Sequence, residues 1–313
     1  MIYSGKSLNM LKNIRIFFTL MFFLCAVLSI APLAQADTVV GGNITTDTTW
    51  TLAASPYLVT TTVYVSNSAR LTVEGGVTVK FRTGTGLEIA HPNNDTATSY
   101  RGTITVNGTS TAPVLFTSET GQTNTWRGMI LGPQSDNGVT NTLSYLTVEK
   151  AGEANTNGNT ANLELYYSGN NTTLTECSFL GATGHGIYTR YSSLTMTGGG
   201  MRNNTNTGIY TNNYSSPNSY TVNIQGVTVS GNTSQGLYLN YTTATIQNSQ
   251  ILTNGSYGLY ALYSSLTLTG SEIKNNASTG IYINEGSNPN SYSFTAERLT
   301  VSGNTSHGIY LRY

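Results

Sequence analysis

Charge is scarce in this 313-residue chain: 14 Lys plus Arg balance 14 Asp plus Glu, and charged residues are only 9% of the total, where an ordinary soluble domain carries about 25%. With no basic stripe to neutralise phosphates, sequence-independent nucleic-acid binding is excluded as a role. Cysteine is nearly absent too. Cys25 sits in the N-terminal apolar run and Cys177 stands alone after it, so no intrachain disulfide is available to the body of the protein, which packing and hydrogen bonds must hold. Cys177 has no Lys, Arg or His beside it and reads as a small buried hydrophobe rather than a reactive thiol. What is plentiful is Gly (33) and Tyr (21) within a 38% hydrophobic composition, enough apolar surface to bury a core and to disfavour disorder.

The one long apolar run, Ile16 to Ala31, follows Lys6, Lys12 and Arg15 and precedes Pro32 and the small-x-small site Ala34-Gln35-Ala36. That is the pattern of a secretory signal peptide over residues 1–36. Its roughly sixteen apolar residues fall short of the about twenty that span a bilayer, and no basic stop-transfer cluster follows. Cleavage is therefore expected over anchoring, leaving no transmembrane segment. Phe22, Phe23 and Leu24 before Cys25 are too bulky for a lipid-attachment site. Cleavage after Ala36 removes three basic side chains and no acidic one, so the mature chain carries a net charge of 11 − 14 = −3. The expected address is secreted or cell-surface associated.

A fixed period dominates the remainder. Gly186-Ile187-Tyr188, Gly208-Ile209-Tyr210, Gly236-Leu237-Tyr238, Gly258-Leu259-Tyr260, Gly280-Ile281-Tyr282 and Gly308-Ile309-Tyr310 recur at intervals of 22, 28, 22, 22 and 28. The longer interval equals the shorter one plus six. The extra residues lie around Ser215 to Tyr220 and Ser287 to Tyr292, Ser, Asn and Pro-rich stretches that a solenoid can expel as a loop. Residues 186–241 match 258–313 at 32 of 56 positions, which points to internal duplication. Within a unit, Leu266 and Leu268 alternate with Thr267 and Thr269, and Ile281 and Ile283 flank Tyr282. These are period-two strands, and no 3.6-residue apolar pattern accompanies them. Helical repeats are excluded. Leucine-rich repeats remain an alternative of compatible length, but their dense Leu spacing and helix are missing.

About 22 residues suit three short strands wound into one coil of a parallel β-helix, with coils about 4.8 Å apart. Asn204, Asn232, Asn254, Asn276 and Asn304 each stand four residues before the repeat Gly, so their amides are expected to stack as a hydrogen-bonded ladder at one turn. Ala182 holds that place in the earliest unit, which starts the ladder late. The strings Asn-x-x-x-Gly-[Ile/Leu]-Tyr resemble the repeats of right-handed parallel β-helix proteins, the superfold that includes pectate lyases. This resemblance covers about residues 161–313. Thr48 to Leu52, Ser55-Pro56-Tyr57, Leu71 to Phe81, Pro113 to Ser118 and Trp126-Arg127-Gly128 resemble the opening of many exported bacterial β-helix proteins. The resemblance implies an all-β, right-handed, single-stranded parallel β-helix with an N-terminal β-rich cap region at 37–160 and regular coils at 161–313. It carries no activity, because the superfold hosts enzymes, adhesins and structural proteins alike. The chain stops at Tyr313, one strand into a coil, without the polar cap a solenoid needs, as a product that naturally continues would. Such an open coil invites association, and the oligomeric state is left open.

Polysaccharide-cleaving β-helices resemble one another in needing clustered carboxylates, or acidic calcium ligands with a nearby Arg or Lys. No acidic residue occurs between Glu176 and Glu272. Glu149, Glu153, Glu164 and Glu176 are the only group that successive coils could bring together, and solvated surface carboxylates are the competing reading. His185 and His307 share the place before the repeat Gly with Thr207, Gln235, Tyr257 and Thr279. That variety predicts a solvent-facing turn. The two histidines are five units, about 24 Å, apart and cannot share a metal. No metal, nucleotide or cofactor motif is present.

One constellation remains. If the residue after the repeat Gly points inward, alternation turns Tyr188, Tyr210, Tyr238, Tyr260, Tyr282 and Tyr310 outward as a stripe with one ring per coil. Such a stripe suits contact with sugar faces or with protein, or serves only to stack coil on coil. Arg190, Asn240 and Arg312 follow two residues later on the same face. Three readings stay open: an exported non-catalytic β-helix for surface attachment, glycan contact or structural support; a polysaccharide lyase or glycoside hydrolase; and a passive spacer for a further domain.

Overall fold

The computed structural model describes residues 35–90, 100–132, 140–169, 172–213, 220–285 and 292–312. Nearly all of the signal peptide expected at 1–36, most of the two six-residue inserts and Tyr313 therefore lie outside the described residues. Asp37–Tyr313 is one unit. Its strands pair in parallel with the equivalents one coil away, in three sheets that run the length of the solenoid. The first sheet holds ten strands, from Thr48–Trp50 to Phe294–Glu297. The second and third share Thr38–Ile44 and the long strand Tyr57–Val65, which joins them into a twenty-strand sheet. One coil reads Leu194–Thr197, Gly200–Arg202, Ile209–Thr211. Strands before residue 160 occupy the same three sheets, so coiling begins at Thr38. Among the described residues the helical exception is a 3-10 turn at Leu52–Ala54.

The lumen follows from period-two alternation. Inward Val, Ile and Leu from all three sheets form one continuous buried cluster, with Phe81, Phe116 and Trp126 filling the early coils. Cys177 joins this cluster, and burial pushes its thiol up to about 11. It behaves as a hydrophobe.

Corners are made by residues in the left-handed region. Between second and third sheets these are Gly181, Asn203, Gly231, Thr253, Asn275 and Gly303. The residue after each points inward, which places the expected asparagines inside the corner rather than on a surface turn. Asn204 Nδ2 donates to Asn232 Oδ1 at 2.9 Å, and Asn232, Asn254 and Asn276 each donate to the next at 3.0 Å. Each amide also donates to a strand carbonyl, as Asn254 does to Val229, and each Oδ1 accepts a backbone N–H from the coil before. The ladder starts earlier than the period shows: Ala182 N–H and Asn162 Nδ2 both donate to Asn204 Oδ1. Ser249 and Ser271 play the same part at the corner between first and second sheets, and Thr242 and Ser264 between third and first.

Asn254→Ala removes four hydrogen bonds and orphans buried groups on both neighbouring coils, so it should destabilise by about 4 kcal/mol in urea unfolding. Thr253 is β-branched, exposed and held at φ +52°, where its equivalents are Asn or Gly. Thr253→Asn should therefore stabilise, by about 1 kcal/mol in the same measurement.

Candidate functional site

The outer face of the third sheet carries the side chains with chemical interest, because parallel register puts each outward residue directly over its equivalent. One row runs Tyr64, Glu88, Ile130, Glu164, Tyr188 and then the five further tyrosines of the repeat. The six tyrosines do point outward and form an unbroken stack. Successive ring centroids are 5.4, 4.7, 5.1, 5.0 and 5.2 Å apart and no pair is tilted by more than 11°. The rings turn their faces to one another, which leaves their edges, not their faces, for contact from outside.

Three residues after each row tyrosine comes the corner to the first sheet, held by Tyr191, Asn213, Tyr241, Tyr263 and Glu285 in turn; the tyrosines, equivalent in the repeat to Tyr313, form a second set of rings that Tyr167 begins. Tyr167, Tyr191, Tyr241 and Tyr263 all adopt φ between +49° and +50°, a conformation disfavoured for bulky residues. Their rings meet in two pairs, Tyr167 tilted against Tyr191 at 4.6 Å and Tyr241 stacked on Tyr263 at 4.9 Å, with Tyr220 and Tyr292 from the longer units packing beside them. Between the two tyrosine rows lie Tyr166, Arg190, Asn212, Asn240, Leu262, Asn284 and Arg312. The Arg190 guanidinium carbon lies 5.5 Å from the Tyr166 ring centre and 5.6 Å from that of Tyr191, within cation–π range. Asn212 Nδ2 donates to the Tyr188 hydroxyl at 3.2 Å.

The expected solvent-facing turn before the repeat Gly is not what forms. Thr207 and Thr279 are buried, and His185 packs its ring 4.7 Å from Tyr210 and 5.7 Å from Tyr188. Tyr257 does the same against Tyr260 and Tyr282. The place tolerates variety because any of these side chains can flank a ring stack. Only His307, on the last coil, is exposed.

The four glutamates are not gathered. Glu149 accepts from Thr117 and pairs with Lys150, and Glu176 accepts the Gly199 N–H at another corner. Glu153 lies in the segment after the second sheet, its N–H bound to the Trp126 carbonyl. Glu164 alone reaches the outer row, and its companion there is Glu88, which the spacing did not reveal. Its signal was a carboxylate between Leu87 and Ile89 in an otherwise apolar strand. Both are buried under the segment from Ala151 to Thr160. Asn155, Asn157 and Asn159 donate their amides to Glu164 at 2.5, 3.0 and 3.0 Å, and Thr156 donates to Glu88 at 3.1 Å. Burial outweighs these bonds and raises the Glu164 carboxyl above its usual range; the same cause takes Glu88 up to about 7, against the pull of the Thr156 hydrogen bond and Arg127. Burial pushes His185 down to about 4. No group of three or more His, Cys, Asp or Glu able to hold a metal occurs among the described residues.

Models of known families match this architecture. The right-handed β-helix region covers residues 134–290 and 214–313, and the pectate-lyase-like β-helix domain covers 42–142. The chain belongs to the right-handed β-helix family. No curated protein matches it. Among solved structures, this β-helix is similar to the A-module of the Azotobacter vinelandii mannuronan C-5 epimerase AlgE4, at 12% identity and TM-score 0.43, covering 88% of this chain and 89% of that one. It is also similar to a mutant of the periplasmic alginate epimerase AlgG, at 10% identity and TM-score 0.33, covering 87% and 85%. The Streptococcus pneumoniae surface protein and adhesin PfbA follows at 10% identity and TM-score 0.25, covering 88% and 91%. Similarities this low carry no argument about activity. No helix among the described residues is long and apolar enough to cross a membrane.

The buried titratable groups of this outer face act in opposite directions, Glu88 and Glu164 one way and His185 the other. Glu88 has a folded value above its ordinary 4.5, so its share of stability is complete below about 4.5 and lost as pH rises through about 7. His185 lies below its ordinary 6.5, so its share is complete above about 6.5 and lost as pH falls through about 4. Each is worth about 3 kcal/mol over its range, and the two offset between about pH 4.5 and 6.5. His185→Asn should unmask the carboxylates, giving stability that declines from about pH 4.5 to 7, and adding Glu88→Gln should make that decline shallower, with Glu164 keeping its own part. Urea unfolding at closely spaced pH values checks both; equal slopes in the single and double variants would refute the Glu88 assignment.

Proposed function

We propose that this protein is an exported β-helix whose third-sheet outer face contacts polysaccharide at a cell surface or in the extracellular space. The observation that carries the reading is the stack of six tyrosines from Tyr188 to Tyr310, continuous with a parallel row of amides and arginines. Each coil from Tyr188 onward presents another tyrosine edge about 4.8 Å further along the axis. A polymer laid along the solenoid therefore meets a repeating set of hydroxyl-bearing edges, amphipathic and already ordered before binding. The rings lose no further freedom on contact, because their neighbours fix them.

Catalysis by Glu88 and Glu164 is less well supported. The segment that covers them binds both oxygens of Glu164 and Oε1 of Glu88, and acid–base work needs a carboxyl within reach of the proton it moves. The comparison with alginate epimerases does not alter this, since it carries the fold alone.

The test keeps the stack and removes its hydroxyls. Tyr238→Phe, Tyr260→Phe and Tyr282→Phe combined should leave far-UV circular dichroism and the unfolding midpoint nearly unchanged while lowering retention on polysaccharide by about tenfold or more. Unchanged retention would overturn the reading. Release of reducing or unsaturated ends by the wild type, lost in Glu164→Gln, would move the assignment to an enzyme.

A further inference from the structure

Within that reading, on which it rests, the amide row between the two tyrosine rows goes further and selects the class of polymer. Asn212 and Asn240 stand at outward positions yet are only 6% and 8% exposed. The Oδ1 atoms of both are buried and have no hydrogen-bond donor. Two buried acceptors without donors are costly. The Asn212 Nδ2 does not relieve this, since it is already given to the Tyr188 hydroxyl.

Acceptors without donors call for a ligand that donates. Sugar hydroxyls can donate to an amide oxygen, whereas a carboxylate or sulfate group only accepts. Acidic polysaccharides carry hydroxyls too, so the charge pattern makes the choice between neutral and acidic polymers. From Asn212 to Asn284 the outer tyrosine row and the amide row hold Tyr210, Asn212, Tyr238, Asn240, Tyr260, Leu262, Tyr282 and Asn284, without one charged residue. Glu285, at the adjoining corner, is acidic and would repel a polyanion. Arg190, at one end, has its guanidinium set against the Tyr166 and Tyr191 rings and beside the buried Glu164. Nothing described along these coils provides the row of cations that a polyanion would need to exchange for its counterions.

We infer that the coils from Asn212 to Asn284 bind a neutral, hydroxyl-rich glycan, the Asn212 and Asn240 side chains turning outward so that their Oδ1 atoms accept sugar hydroxyl hydrogens. Affinity electrophoresis of the mature protein tests this in gels containing xylan, mixed-linkage β-glucan or galactomannan, and in gels containing polygalacturonate, alginate or hyaluronan. At least one neutral polymer should retard migration, equally at about 0.05 and about 0.5 M salt. Asn240→Ala should weaken that retardation by about tenfold. Asn240→Ser keeps an uncharged acceptor oxygen, so it should retain part of the neutral binding, and an unchanged urea midpoint in both variants excludes a folding defect. Retardation confined to acidic polymers and abolished by salt would overturn the inference while leaving glycan contact standing. Retardation by no polymer would overturn both. Neutral binding undiminished in Asn240→Ala would remove Asn240 from the site and overturn the assignment.

Discussion

Each coil has to reverse direction through three corners, and every corner takes the backbone out of its ladder. The left-handed residue at each corner makes the bend, and the next side chain, turned inward, satisfies the groups the bend exposes. Asparagine does this most completely. It accepts one backbone N–H and one amide from the preceding coil while donating to a strand carbonyl and to the following Asn. Because each amide is held by both neighbours, the ladder fixes coil spacing and register together, in a buried setting where a missing partner costs more than a formed bond gains. The same bond joins Asn204 to Asn232 in a longer unit and Asn232 to Asn254 in a shorter one. Six extra residues can therefore leave at another corner without disturbing it.

That fixed register is what turns a sequence repeat into a surface. Wherever coils are equal, an outward tyrosine must lie over the one before, at a separation set by the backbone and close to the thickness of stacked rings. The tyrosine row is thus a consequence of the asparagine ladder as much as of aromatic attraction. The row changes character at Glu164, one strand before Tyr188, where the segment Ala151 to Thr160 crosses the face and replaces ring-on-ring contact by amide-to-carboxylate bonds. The same position in the lattice serves stacking in one coil and anchoring in the next, according to what covers it.

Legibility in the sequence follows this lattice closely. The coil, the ladder at Asn204 to Asn304 and the outward sense of Tyr188 to Tyr310 can all be read from one short period with recognisable insertions. Glu88 cannot, because the step from Glu88 to Ile130 and the step from Ile130 to Glu164 are unequal in length, although each spans one coil. Without a constant interval, no alignment of the sequence with itself places them in one row. Asn162 escapes for the same reason: it enters the ladder from a coil whose corner is built differently. The obstacle at His185 is of another kind. Variety at a position suggests exposure, whereas the flank of a ring stack accepts His, Tyr or Thr alike.

The corner tyrosines show where local preference gives way. Asn or Gly would occupy φ near +50° with less strain, and the chain uses them at most of the other two corners, with Tyr145, Glu176, Thr253 and Arg298 among the exceptions. At the corner beside the outer tyrosine row it places Tyr167, Tyr191, Tyr241 and Tyr263 instead, accepting strain at each. Ring stacking along the corner offsets part of that cost, but stacking alone does not explain the choice, since no comparable row lines the other corners among the described residues. What differs at this corner is its neighbour, the row from Arg190 to Arg312, which the tyrosines enclose from one side as Tyr188 to Tyr310 enclose it from the other. Departures from local rules tend to collect where a surface does more than fold, and the strained tyrosines mark out the amide row as that place.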